Sequence, residues 1–292
     1  MQLGLIFALL AAVFFGANLV TVRRGVSKEG ESSSAVIISV AIGTLFFAFS
    51  LLFTDDWHRL WSLSWRGFAL LAGAGILNFI VGRFLLYIGV RLIGANRTAP
   101  ILNTSTLYSV SIGVIFLHEP LTVFLILGAV CIAGGASLVS DGKEEGTSKI
   151  QGRGVLSALA GAVCLGTSAV LIKLGVAEVG SPFAAAFISY AAAFIIMLGL
   201  LFDRTRRERI VRLPSLSLIL FILAGIFAAM AHAFRYLALS RSPVSVVQPL
   251  VSTSVLSVLI VSLLINRNIE MFNWRVYTGT AAAIAGIFLL FR

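Results

Sequence analysis

The sequence predicts an all-α integral membrane fold of ten transmembrane helices, arranged as two inverted five-helix repeats. Three observations predict it. Of 292 residues, 59% are hydrophobic and 12% charged, with a mean hydropathy of +1.03. That charged share is about half that of an ordinary soluble domain, and so much apolar surface is stable only where the solvent is itself apolar. Apolar windows near the length of a membrane span recur ten times, and the second half of the chain echoes the first.

The windows run 3–22, 35–53, 67–90, 99–117 and 121–139, then 154–172, 182–202, 216–239, 244–265 and 274–291. A spanning helix needs about 20 mostly apolar residues, and each window meets or nearly meets that length. Met1 and Gln2 lead directly into the first window with no basic stretch ahead of it, so this segment is expected to stay as a helix. The polar stretches 141–153 and 203–213 are too short to fold as separate domains. Cys131 and Cys164 both fall inside apolar runs, which fits small packing residues better than a disulfide framework.

The repeat divides the chain into residues 3–140 and 152–291. At an offset of 150, Gly4, Gly16 and Gly25 recur as Gly154, Gly166 and Gly175. At 149, Tyr87 pairs with Tyr236, Pro100 with Pro249, and Thr104-Ser105 with Thr253-Ser254. At 151, Gly128 and Gly135 pair with Gly279 and Gly286. Loop insertions account for such slips. Because five is odd, the second half enters the bilayer from the opposite side. Carriers use this arrangement to expose a central site to alternate faces.

The net charge of +10 sits mainly in loops, without the aromatic interleaving of a nucleic-acid platform, so nucleic-acid binding is excluded as a reading. One set of loops collects fifteen Lys and Arg residues and the other five. The excess of basic residues belongs in the cytoplasm, which would put both termini outside.

The chain resembles the EamA family of the drug/metabolite transporter superfamily. The resemblance rests on the Gly16/Gly166 pair, on the turn His118-Glu119-Pro120-Leu121-Thr122, and on the helix carrying Gly128 and Gly134-Gly135. The second repeat departs at the turn, reading Asn266-Arg267-Asn268-Ile269-Glu270. The resemblance covers nearly the whole chain. It implies a multi-pass protein of the cell membrane, prokaryotic in character, that exports amino acids or other metabolites. It also implies cytoplasmic termini, opposite to the loop charge.

Candidate site residues follow from the cost of charge inside a bilayer. All twelve acids fall in loops or at helix ends, which argues against a cationic multidrug exporter. Arg83 does not: it lies roughly 12 Å from the nearer helix end at 1.5 Å per residue. The repeat maps Arg83 onto His232 and Tyr87 onto Tyr236, and Arg235 shares their helical face. We expect Arg83, Tyr87, His232, Arg235 and Tyr236 to line a central cavity for a carboxylate or other anion. The alternative is that both arginines bond backbone carbonyls and lock helices together. Asn103, Tyr108, Gln248 and Ser252 are the expected cavity members of two hydroxyl-rich helices. The other hydroxyls there suit interhelical bonding, as do Asn18 and Thr167.

No P-loop is present, His58, His118 and His232 are too scattered to hold a metal, and no catalytic triad can be assembled. We therefore expect a non-enzymatic secondary transporter of small polar or anionic metabolites, with lipid and a small-molecule substrate as partners and no cofactor. A lipid-linked or nucleotide-sugar carrier and a non-transporting membrane subunit or sensor are the competing readings. Monomer and homodimer are not distinguished.

Overall fold

The computed structural model describes residues 2–26, 32–93, 95–140, 152–200, 213–265 and 274–291, and every residue in a regular element there is helical. The first half comprises α1 (Gln2–Val26), α2 (Ser32–Thr54), a short α3 (Trp57–Trp61) and α4 (Trp65–Gly75). A π-helical stretch (Ile76–Val81), α5 (Gly82–Ile93), α6 (Ala95–Leu117) and α7 (Val123–Ser140) complete it. The second half comprises α8 (Gly152–Val179), α9 (Pro182–Leu200), α10 (Ser215–Arg241), α11 (Val244–Ser252), α12 (Ser254–Ile265) and α13 (Trp274–Leu290). Six helical runs are long and apolar enough to cross a membrane, the third being α4, the π stretch and α5 together. Four shorter apolar runs, beginning at Ile101, Val123, Val244 and Tyr277, occupy the remaining expected positions. Several of the loops behind the orientation expectation (27–31, 141–151 and 201–212), and the 266–270 turn, lie outside the described residues.

Lipid gives two helices no hydrophobic reason to associate, so membrane bundles hold together by close packing of small residues. The repeated glycines do this between the halves. A β-carbon on Gly16 would lie 2.5 Å from Ser257 of α12, and one on Gly166 would lie 2.5 Å from Tyr108 of α6. Tyr108 and Ser257 are themselves repeat equivalents. The same exchange relates Gly25 against Phe221 to Gly175 against Leu71, Gly4 against Ser242 to Gly154 against Ile93, and Gly75 against Ser189 to Gly225 against Ser39. Each of these glycines thus seats a helix of the other half, and swapping the halves regenerates the contacts.

These pairs also give direction. Gly4, early in α1, meets the end of α10, whereas Gly25, late in α1, meets residues near the start of α10. The two helices run antiparallel. So do the equivalent helices α7 and α13, where Gly128 abuts Gly286 and Gly135 abuts Gly279.

One slip in the repeat has a cause other than the expected loop insertion. Up to Gly75 and Gly225 the register is 150; from Arg83 and His232 it is 149. The π-helical stretch lies between these points, and α10 crosses the corresponding region as uninterrupted α-helix. A π-turn absorbs one extra residue within a helix. The first repeat therefore carries its insertion inside the membrane, immediately before Arg83. The second repeat is irregular elsewhere. Pro249 lies within α11 and offers no N–H to the carbonyl one turn earlier. The helix then breaks at Thr253, whose amide turns back to the Leu250 carbonyl.

Candidate functional site

The irregular third span, α9 and α10 converge on His232. Its imidazole is 2% exposed and ringed by Phe15 of α1 and Phe79 of the π stretch, each with its ring centroid 5.0 Å away, and by Tyr190 of α9 at 5.4 Å. Phe79 and Tyr190 pack on each other at 4.4 Å. The Arg83 guanidinium lies 5.9 Å above the Phe79 ring, within cation–π range. One turn along α10, Arg235 is 4% exposed and donates from Nη2 to Gln248 Oε1 at 3.3 Å. Arg83, His232, Tyr190 and Arg235 lie within electrostatic reach of one another.

Three polar atoms of this cluster are buried without a hydrogen-bond partner: His232 Nδ1, Arg235 Nε and Tyr190 Oη. Buried polar groups are nearly always satisfied, and an unsatisfied one costs about 1–3 kcal/mol. The three come from two helices of one half and face aromatics of the other.

The expected residues separate into two groups. Arg83, His232, Arg235 and Gln248 come together here. Tyr236 lies 1% exposed beside them in the core, while Tyr87 is 40% exposed one turn beyond Arg83. Asn103, Tyr108 and Ser252 engage neighbouring helices. Asn103 donates to Ser137 Oγ at 3.5 Å, and Tyr108 Oη pairs with Thr167 Oγ1 at 3.3 Å. Ser252 Oγ donates to the Gln248 carbonyl at 3.0 Å and lies 2.6 Å from Thr106 Oγ1. Those bonds run from the Arg235–Gln248 contact to α6. Asn18, expected as an interhelical bonder, donates to the Ala224 carbonyl at 2.7 Å.

Sequence reasoning missed Phe15, Phe79 and Tyr190. Tyr190 carried a signal, since it is the one tyrosine of a window whose only other polar side chain is Ser189. The phenylalanines carried none among 22 of their kind.

A second set of polar groups ties the halves together at one end of the bundle. The Glu119 carboxylate, from the first half, accepts the backbone amides of Val244 at 2.7 Å and Ser245 at 2.9 Å, at the start of α11. Lys173 Nζ donates to the carbonyls of Leu239 at 2.7 Å and Ser242 at 2.9 Å, at the end of α10. The anion thus sits at an N-terminus and the cation at a C-terminus, each matched to the orphan groups and dipole of its helix. Nearby, Asp56 pairs with Arg59 at 3.0 Å and accepts from Ser181 Oγ at 2.6 Å, and Arg59 reaches the Val179 carbonyl at 3.2 Å.

The resembling turn now has a local explanation. Thr122 accepts the Leu125 amide at 3.1 Å and so caps α7. Gly113 leaves room for Glu119 to fold back, since a β-carbon there would lie 2.6 Å from Glu119 Oε2. His118 ends α6 with φ of 53°, a left-handed conformation costing a non-glycine residue roughly 1–2 kcal/mol. His118→Gly is therefore expected to hold or raise the melting temperature in detergent, and the β-branched His118→Val to lower it.

A sequence model of the EamA-like transporter family matches the chain twice, over residues 2–141 and 152–292. No curated protein matches the sequence significantly. A solved structure titled only "Crystal structure of protein" superposes with a TM-score of 0.79 at 14% identity, over 98% of this chain and 96% of that one. At that identity the likeness speaks for the fold alone.

Proposed function

The chain belongs to the EamA-like transporter family, and from that premise we propose that it is a secondary transporter of small polar or anionic metabolites, with amino acids among the classes a carboxylate-binding site admits. The halves, residues 3–140 and 152–291, are read as inverted repeats that rock about the Arg83–His232–Arg235 cluster. Export across a prokaryotic plasma membrane is the direction we favour. The antiparallel crossing of α7 on α13 supports the inversion. The unpartnered buried atoms of His232, Arg235 and Tyr190 carry the site assignment. A non-transporting subunit would have a tightly packed centre, Arg83 and His232 satisfied and no cavity; the unpartnered His232 Nδ1 speaks against the second of these.

Alternating access sets a requirement. When the end carrying Glu119 opens, its bonds to α11, and those between Asp56 and Ser181, must part or move together.

The test is flux in proteoliposomes across a mixed panel of labelled metabolites, native against Arg83→Gln. Arg83 is only half-buried, so this variant is expected to fold. Losing a charge-assisted contact of about 1.5–3 kcal/mol corresponds to a fall of about 10- to 100-fold in apparent affinity. Equal flux in both proteins would remove Arg83 from the site.

A further inference from the structure

Taking the Arg83–His232–Arg235 cluster as the substrate site, we infer that it selects molecules of net negative charge and discriminates against zwitterions bearing the same carboxylate. The inference rests on that site reading and follows from the balance of charge around it. Two guanidinium groups face the cluster: Arg235 at 4% exposure and Arg83 above Phe79. The four described acids, Asp55, Asp56, Glu119 and Glu178, lie in loops or at a helix end. Among the described residues, each carboxylate with a bonded partner is engaged away from the cluster: Glu119 with the start of α11, Asp56 with Arg59 and Ser181, Glu178 with Arg66 and Ser64. No described carboxylate meets Arg83 or Arg235.

A buried guanidinium without a counter-charge is strongly unfavourable, and a ligand carboxylate supplies that charge in the geometry a guanidinium fork prefers. An α-ammonium group on the same ligand would enter beside the two cations. The acceptors available to it are uncharged. Gln248 Oε1 is already taken by Arg235, and Tyr190 Oη lies within the field of both arginines. In a site of low dielectric, the added positive charge offsets much of what the carboxylate gains. A 2-oxo acid keeps the carboxylate and the side chain and replaces the ammonium with a carbonyl. That oxygen is free to accept from Arg235 Nε or Tyr190 Oη, both unpartnered.

Matched pairs test this: 4-methyl-2-oxopentanoate against leucine, and phenylpyruvate against phenylalanine, with isoamylamine as a cation. Binding to the full-length protein is read by thermal shift in detergent, and transport by counterflow in proteoliposomes. The expected result is that an oxo acid binds about ten-fold or more tightly than its amino acid. That preference should be lost in Arg235→Gln and Arg83→Gln and largely kept in Arg83→Lys. If Arg235→Gln fails to fold, the half-buried Arg83 variants carry the test. Equal or tighter binding of the amino acid, still dependent on the arginines, overturns the charge selection and leaves the site in place. Binding that ignores both arginines overturns the site reading and this inference with it. Failure of the native protein to bind any oxo acid overturns the inference as well.

Discussion

Replacing Glu119 with alanine is expected to lower the stability of the folded protein by about 3 kcal/mol, the scale of breaking a half-buried charged contact. The carboxylate satisfies two amides that open α11. Without it both amides, at a helix start partly shielded from water, lack an acceptor. Lys173, within electrostatic reach of Glu119, also loses that opposite charge. Glu119→Gln keeps one acceptor oxygen and loses the charge, so it should fall between, at about 1–2 kcal/mol. Gly113→Ala should approach the alanine phenotype without touching the acid, because its methyl group would occupy the carboxylate's position. Thermal unfolding in detergent checks all three. A double-mutant cycle with Lys173→Met then separates the electrostatic coupling from the capping bonds. If Glu119→Ala and native melt together, the carboxylate holds nothing.

The Glu119 contact also shows where sequence reading stops. Its turn was legible as a resemblance, and Thr122 as a cap is a local pattern. The partner of Glu119, however, lies 125 residues away in the other half. No local rule relates an acid in one turn to bare amides in another. The repeat was legible because glycine identities survive in register. The cause of its slip was not, because a π-turn adds a residue without leaving a turn-forming sequence. Ile76–Val81 reads as an ordinary apolar helix.

The proposed site was half legible for a similar reason. Arg83, His232 and Arg235 announced themselves by charge in a segment where charge is costly. The aromatic wall did not, because a phenylalanine facing lipid and one facing His232 have the same sequence signature. Asn103, Tyr108 and Ser252 were legible as polar residues, but the sequence does not say whether such a group faces a cavity or a neighbouring helix. The structure pairs each with a neighbour. The π stretch gives the wall its asymmetry. It buries Asn78 and Phe79 just before Arg83, where α10 presents Ala228 in the position equivalent to Phe79.

Adjacent glycines on α7 provide the sharpest test of the architecture. Gly134→Leu is expected to be tolerated, and Gly135→Leu to destabilise the fold by about 3 kcal/mol or more. Both exchange a helix-disfavouring residue for a helix former, worth about 0.8–1 kcal/mol in favour of each. Propensity therefore cannot separate them. Their surroundings do. A β-carbon at Gly134 meets nothing within 4 Å, whereas one at Gly135 would collide with the Gly279 carbonyl and lie 2.8 Å from the Ala283 amide nitrogen. The obstacle is backbone of α13, which no rotamer change can clear. The equivalent Gly286 faces the same obstacle in the Gly128 carbonyl, at 2.7 Å, so Gly286→Leu should match Gly135→Leu. Monodispersity and melting temperature in detergent read all three. Equivalent helices can pair the early glycine of each with the late glycine of the other, as Gly128 with Gly286 and Gly135 with Gly279, only if they cross antiparallel. A Gly135→Leu protein as stable as Gly134→Leu would therefore remove the crossing of α7 on α13, and with it the geometric support for halves of opposite sense.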